Sequence, residues 1–187
     1  MDQKHQITCD PDSQDPTIFT YQTNYNYDLS MPGQLGLWCS SIRLWKEIEK
    51  NNYNHTLILE DDVRIKSNDF KDKLNEYINA LPASYDIAWF DAYNNKKHIK
   101  LENPDDLFFK KQGQFWLGTY AYLISKSGVN KLLSSNNYAC PIDVYLAMNS
   151  DVNTQCKVSG NDYLLESYVY AGEVLDPYGA SSSTISS

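Results

Sequence analysis

Three consecutive carboxylates, Glu60, Asp61 and Asp62, end a short apolar run, Thr56-Leu57-Ile58-Leu59. Adjacent acids repel one another unless a cation neutralises them, and hard oxygen donors select Mg²⁺, Mn²⁺ or Ca²⁺ rather than zinc. A metal held by only one or two carboxylates keeps positions open, and phosphate oxygens fill such positions well. The triplet therefore points to metal-assisted handling of a diphosphate. The competing account is a solvated acidic turn that caps the following segment, as Asp commonly does.

The elements around the triplet read as α/β. An apolar run without alternation is expected of a strand buried on both faces, and ligands of open α/β sheets bind at the carboxyl ends of strands. Upstream, Leu35, Leu37, Trp38, Ile42, Leu44, Trp45 and Ile48 recur at helical spacing, predicting an amphipathic helix from Gly33 to about Asn51-Asn52. Downstream, the pattern predicts a helix over Asp69–Ala80, a strand over Tyr85–Phe90 and a polar loop or lid over Asn94–Asp106. A third strand over Leu117–Ile124, a helix beginning after Ser125 and a short helix opened by Pro141 follow. Met1–Pro32 is polar, with only Thr17–Tyr21 strand-like, and residues 180–187 lack the apolar content to order themselves. The expectation is one domain over residues 1–187 with a mixed, mainly parallel sheet centred on the Leu57 strand and flanked by helices.

Composition narrows the function classes. With 187 residues, 42% hydrophobic and 21% charged, the chain is long and apolar enough to close a core as one domain. A net charge of −8 without clustered Lys and Arg argues against a nucleic-acid surface, so an acidic protein that binds phosphate needs a bridging cation. No apolar run approaches the roughly 20 residues that span a bilayer. Cys9, Cys39, Cys140 and Cys156 form no CxxC pair, which excludes the common zinc and redox motifs. The simplest account of them is free thiols in a reducing compartment, hence a soluble, cytoplasmic protein. His5, His55 and His98 sit in no ligand spacing. Fifteen Tyr and four Trp suit a cleft that stacks on sugar or base rings, although an aromatic core accounts for most of them.

Four stretches together resemble glycosyltransferase family 25, which contains the lipopolysaccharide-type and procollagen galactosyltransferases. They are Gly33-Gln34-Leu35-Gly36-Leu37-Trp38-Cys39-Ser40-Ser41-Ile42-Arg43-Leu44-Trp45, Leu57-Ile58-Leu59-Glu60-Asp61-Asp62-Val63, Gly118–Gly128, and Pro141-Ile142-Asp143-Val144-Tyr145-Leu146. The resemblance covers roughly Met31–Met148. It implies a GT-A fold, inverting transfer from a nucleotide sugar, and usually manganese. The family's opening strand, with its Asn-Leu-Asp-Arg-Arg-like run, has no counterpart in Met1–Pro32, which reads as a divergent or shortened N-terminal part. Gln34 stands where the family has Glu, and Ser41 where it has His.

The resemblance assigns roles. Asp62 is implied as the direct metal ligand, with Glu60 as a ribose or water-mediated contact and Asp61 beside it. Asp143 is implied as the base that takes the acceptor proton, the alternative being an ordinary helix-start Asp. From the residues alone, Asp91 at the end of the second strand is a further candidate base or partner to a metal ligand, and surface turn is its plainer reading. Trp116, Tyr120 and Tyr122 are placed to stack on a sugar face, with core packing as the alternative. The whole points to transfer of galactose or glucose from a UDP-sugar to a glycan or protein acceptor, with Mn²⁺ or Mg²⁺. Two rivals share the same residues: a degenerate, non-catalytic binder of a sugar or partner protein, and a metal-dependent phosphoester hydrolase.

Overall fold

The computed structural model describes residues 3–23, 32–65, 68–90, 107–110, 119–134, 137–138, 140–148, 165–171 and 175–177. Asp91, Trp116, the 94–106 loop, Cys156 and the 180–187 tail lie outside them.

The chain opens with a hairpin, β1 (Gln3–Cys9) against β2 (Thr17–Thr23), antiparallel from Gln3↔Thr23 to Cys9↔Thr17. Helix α1 (Pro32–Asn51) follows, with Pro in the first turn, where its missing N–H costs nothing. It buries Trp38, Ile42, Trp45 and Ile48, spaced to lie on one face. Its end is a Schellman arrangement: Asn52 takes φ 58°, its N–H bonds the Glu49 carbonyl, and the Tyr53 N–H reaches back to Ile48. That turn aims the chain into β3 (His55–Leu59), after which Glu60, Asp61 and Asp62 lead to β4 (Val63–Ile65). Then come α2 (Phe70–Ala80), β5 (Ile87–Trp89), β6 (Phe108–Lys110), β7 (Ala121–Ser125), α3 (Lys126–Leu133), β8 (Asn137–Tyr138) and α4 (Ile142–Met148). The described chain ends with β9 (Ser167–Tyr170) and β10 (Leu175–Pro177).

The main sheet has the order β3-β7-β5-β9-β6, β8 extends the hairpin beside β2, and β10 pairs with β4. The fold is α/β with a mixed sheet, as the pattern predicted, but the sheet is not mainly parallel. Only β5–β9 runs parallel, while β3–β7, β5–β7 and β6–β9 are antiparallel. Nor is it centred on the Leu57 strand: β3 lies at the edge, and the most buried strands are β5 and β7. The apolar run of β3 has a different cause. Ile58 packs against the core cluster of α1, α3, α4 and the hairpin, whereas Leu57 packs against the cluster of α2 on the opposite face. Both faces are covered, and a covered edge strand has the same apolar signature as a central one.

The free-thiol reading is overturned. Cys9 at the end of β1 is disulfide-bonded to Cys39 in α1, Cys140 is also in a disulfide, and no free cysteine remains among the described residues. The case for a reducing compartment rested on those thiols and loses its basis. Among the described residues, no helix is long and apolar enough to cross a membrane.

Candidate active site

The acidic triplet is held by the β3–β7 ladder. The ladder ends at Leu59↔Ala121, and one further bond, Glu60 N–H to the Tyr120 carbonyl at 2.8 Å, extends it to the first acid. The Thr119 hydroxyl donates to Glu60 Oε1, so both backbone and side chain of Glu60 are fixed by residues just before β7. The chain then turns sharply, with the Val63 N–H bonding the Glu60 carbonyl at 3.3 Å. This turn leaves Asp61 exposed and Asp62 half-buried.

Asp143 joins them from the first turn of α4. It lies near enough for its charge to act on Glu60. Burial raises the Glu60 pKa most, the Thr119 hydrogen bond opposes the rise, and the charges of Asp62, Asp143 and Asp61 add to it. Burial likewise raises the Asp143 pKa, against a hydrogen bond from the Val144 N–H to Oδ1 at 2.8 Å. The charge of Asp143, from a distant part of the chain, thus reaches Glu60.

Asp62 Oδ1 is buried and has no hydrogen-bond partner. A buried acceptor left unsatisfied is costly, and a cation would satisfy it. Among the described residues, no group of three or more His, Cys, Asp or Glu side chains could by itself hold a metal. The donor set fits a hard cation bound by one or two carboxylates, with phosphate and water completing the shell.

The aromatics divide. Tyr120 is half-buried beside Glu60, whereas Tyr122 is in the core, its hydroxyl accepting from Trp45 Nε1 at 3.4 Å and its pKa pushed up by burial. Tyr122 is therefore a core residue and not a stacking platform. Thr119 escaped the sequence reading. Its signal was a hydroxyl next to the strand that pairs with the acidic one.

The sequence model of glycosyltransferase family 25 (LPS biosynthesis protein) matches residues 3–146. The chain belongs to glycosyltransferase family 25. The match includes β1 and β2, so the region that departs from the family's opening run still lies within it. Human procollagen galactosyltransferase 2 is 26% identical over 134 residues, covering 67% of this chain and 21% of that protein. A Drosophila melanogaster glycosyltransferase 25 family member is 29% identical over 139 residues, 70% of this chain and 22% of the relative. A Bos taurus protein named as a probable inactive glycosyltransferase 25 family member 3 is 27% identical over 136 residues, with 70% and 22% coverage. The chain spans about a fifth of the length of these family 25 relatives.

Proposed function

We propose that this domain transfers a hexose, galactose or glucose, from a UDP-sugar to a glycan or protein acceptor with inversion, on a GT-A-like fold. The observation that supports the reading is the anchoring of Glu60 by the Tyr120 carbonyl and the Thr119 hydroxyl beside Asp61 and Asp62, with the charge of Asp143 also reaching Glu60. Asp62, with its buried unpartnered Oδ1, and Glu60 would hold Mn²⁺ or Mg²⁺. The cation, when bound, stabilises the charge that develops on the leaving diphosphate.

Asp143 takes the acceptor hydroxyl proton as that oxygen bonds to the anomeric carbon. The bond from that carbon to the diphosphate oxygen breaks, and its electron pair leaves with UDP. Burial makes Asp143 a stronger base than a solvated carboxylate, which suits this task. Tyr120, and Trp116 upstream of it, supply faces for the sugar, Asp61 lies beside the donor, and Asp91 is the alternative base.

A second reading, a domain that binds without turnover, is favoured by the relatives named inactive at similar identity. Titration of UDP in manganese and in chelator tests the site, and transfer to a sugar acceptor separates the two readings. UDP affinity should require the cation and should be lost in Asp62→Asn with the fold intact. Equal affinity in manganese and in chelator removes the metal assignment, and cation-dependent binding without transfer or donor hydrolysis favours the binder.

A further inference from the structure

We propose that Trp38 is a positioning residue for Asp143, acting through the indole N–H that it donates to the Cys140 carbonyl at 3.1 Å. The inference rests on the reading of Asp143 as the base.

Helix α4 has seven residues, too few to be stable by itself, so the place of Asp143 in its first turn depends on how the chain enters it. The entry is Cys140-Pro141. On either side of that entry stand Tyr138 and Tyr145, and the Trp38 ring lies against both, at centroid distances of 4.2 and 5.1 Å. The indole therefore packs on both flanks of the turn, while its N–H holds the carbonyl between them. Trp38 is 0% exposed, so water does not compete for that bond.

The clamp is itself anchored. Trp38 lies in α1 edge-on to Trp45, whose own N–H meets the hydroxyl of Tyr122, the ladder partner of Ile58. The next residue, Cys39, is disulfide-bonded to Cys9 of β1, and Cys140 is disulfide-bonded as well. One face of α1 thus reaches both parts of the site: Trp45 ties to Tyr122 in the β3–β7 ladder that leads to Glu60, and Trp38 ties to the entry of α4 that leads to Asp143. A phenylalanine would retain much of the apolar packing and lose the tie to Cys140. The indole nitrogen is the part that specifies position.

The test replaces Trp38 by 3-benzothienylalanine, which puts sulfur in place of the N–H at nearly constant ring size, with Trp38→Phe as the encodable counterpart. Transfer kinetics, UDP affinity in manganese and amide exchange of the 140–148 segment are measured on the full chain. The expected result is a kcat lower by about tenfold to a hundredfold, the range that a misplacement of about 1 Å can produce, with UDP affinity within about twofold of wild type. Exchange should quicken in 140–148 and stay unchanged in α3. Unchanged exchange in 140–148, or faster exchange with unchanged kcat, overturns the proposal. If the wild-type chain has no transfer activity, the base assignment fails separately, and the exchange comparison still decides whether Trp38 fixes this turn.

Discussion

Gly128 lies in the first turn of α3, where the chain passes over Asp86, the residue before β5. A methyl group at this position would come within 2.4 Å of the Asp86 carbonyl oxygen, 3.0 Å of its carbon and 3.1 Å of Ile124 Cγ1. The carbonyl cannot swing aside. It accepts the Ser125 N–H at 2.9 Å, the Asp86 N–H is bonded to the Glu166 carbonyl at 2.8 Å, and the buried Asp86 carboxylate takes the Lys131 ammonium and the Glu166 N–H. Overpacking a rigid site costs about 1–3 kcal/mol. Disturbing the Ser125 bond adds about 1 kcal/mol, and alanine's better helix propensity offsets up to about 1 kcal/mol. The net loss of about 2 kcal/mol should lower the melting midpoint of Gly128→Ala by about 4–8 °C at this chain length. Gly36 is the control, because a methyl group there meets nothing within 4 Å. Gly36→Ala should gain about 0.5–1 kcal/mol. Thermal unfolding followed by near-ultraviolet circular dichroism reads both. A Gly128→Ala protein as stable as wild type would refute the seating of α3 against Asp86 and Ile124, and destabilisation by Gly36→Ala would refute the open space beside α1.

Three further outcomes are expected. Asp143→Asn should lower transfer by about 10²–10⁴-fold with UDP affinity nearly unchanged, measured at saturating donor, since a base is not a donor contact. The raised pKa values of Glu60 and Asp143 mean that the folded state holds these protons more tightly than the unfolded state. Their contribution to stability is full below the unfolded carboxylate range and is lost as pH rises through the folded values, so the metal-free melting temperature should fall across that window. Manganese should reverse the fall at neutral pH, and Glu60→Gln should flatten it. Paired Cys9→Ser and Cys39→Ser changes open a link of sequence separation 30 and should cost about 3 kcal/mol, read as a lower urea midpoint.

The parts of this fold that were legible in the sequence have local causes. Helix α1 was visible because its buried positions recur at helical spacing and Asn52 can adopt the left-handed turn that stops it. Helix α3 was visible because Ser125 caps it, accepting the Gly128 N–H at 3.1 Å. The acid at the end of β3 was placed correctly, yet the strand's position was not. Apolar residues report that both faces are covered and say nothing about which neighbour pairs with the edge. Strand β1 was missed because Gln3-Lys4-His5-Gln6 carries almost no apolar signal, and its pairing with β2 is what makes it a strand. The disulfide was missed because spacing along the chain does not report spatial proximity. Thr119 was missed for the same reason: its partner Glu60 is 59 residues away.

The way the site is anchored bears on whether the domain turns over substrate. Glu60 is placed by a backbone bond that continues the β3–β7 ladder, and Asp143 by the entry to α4, so the scaffold would survive removal of the carboxylates. A binder that needs no cation would be more stable without them. Glu60 is half-buried near like charges and Asp62 Oδ1 is buried without a partner, and each raises the free energy of the folded state. Asp143, on α4, adds a desolvation cost of the same kind. A cation held by Asp62 and Glu60, as proposed, would relieve the costs at those two residues. Asp143 stands apart from that pair: it is half-buried in the first turn of α4, and burial raises its pKa. Under the proposed function it would be the proton acceptor for the incoming sugar, so the Asp143→Asn variant separates transfer from binding.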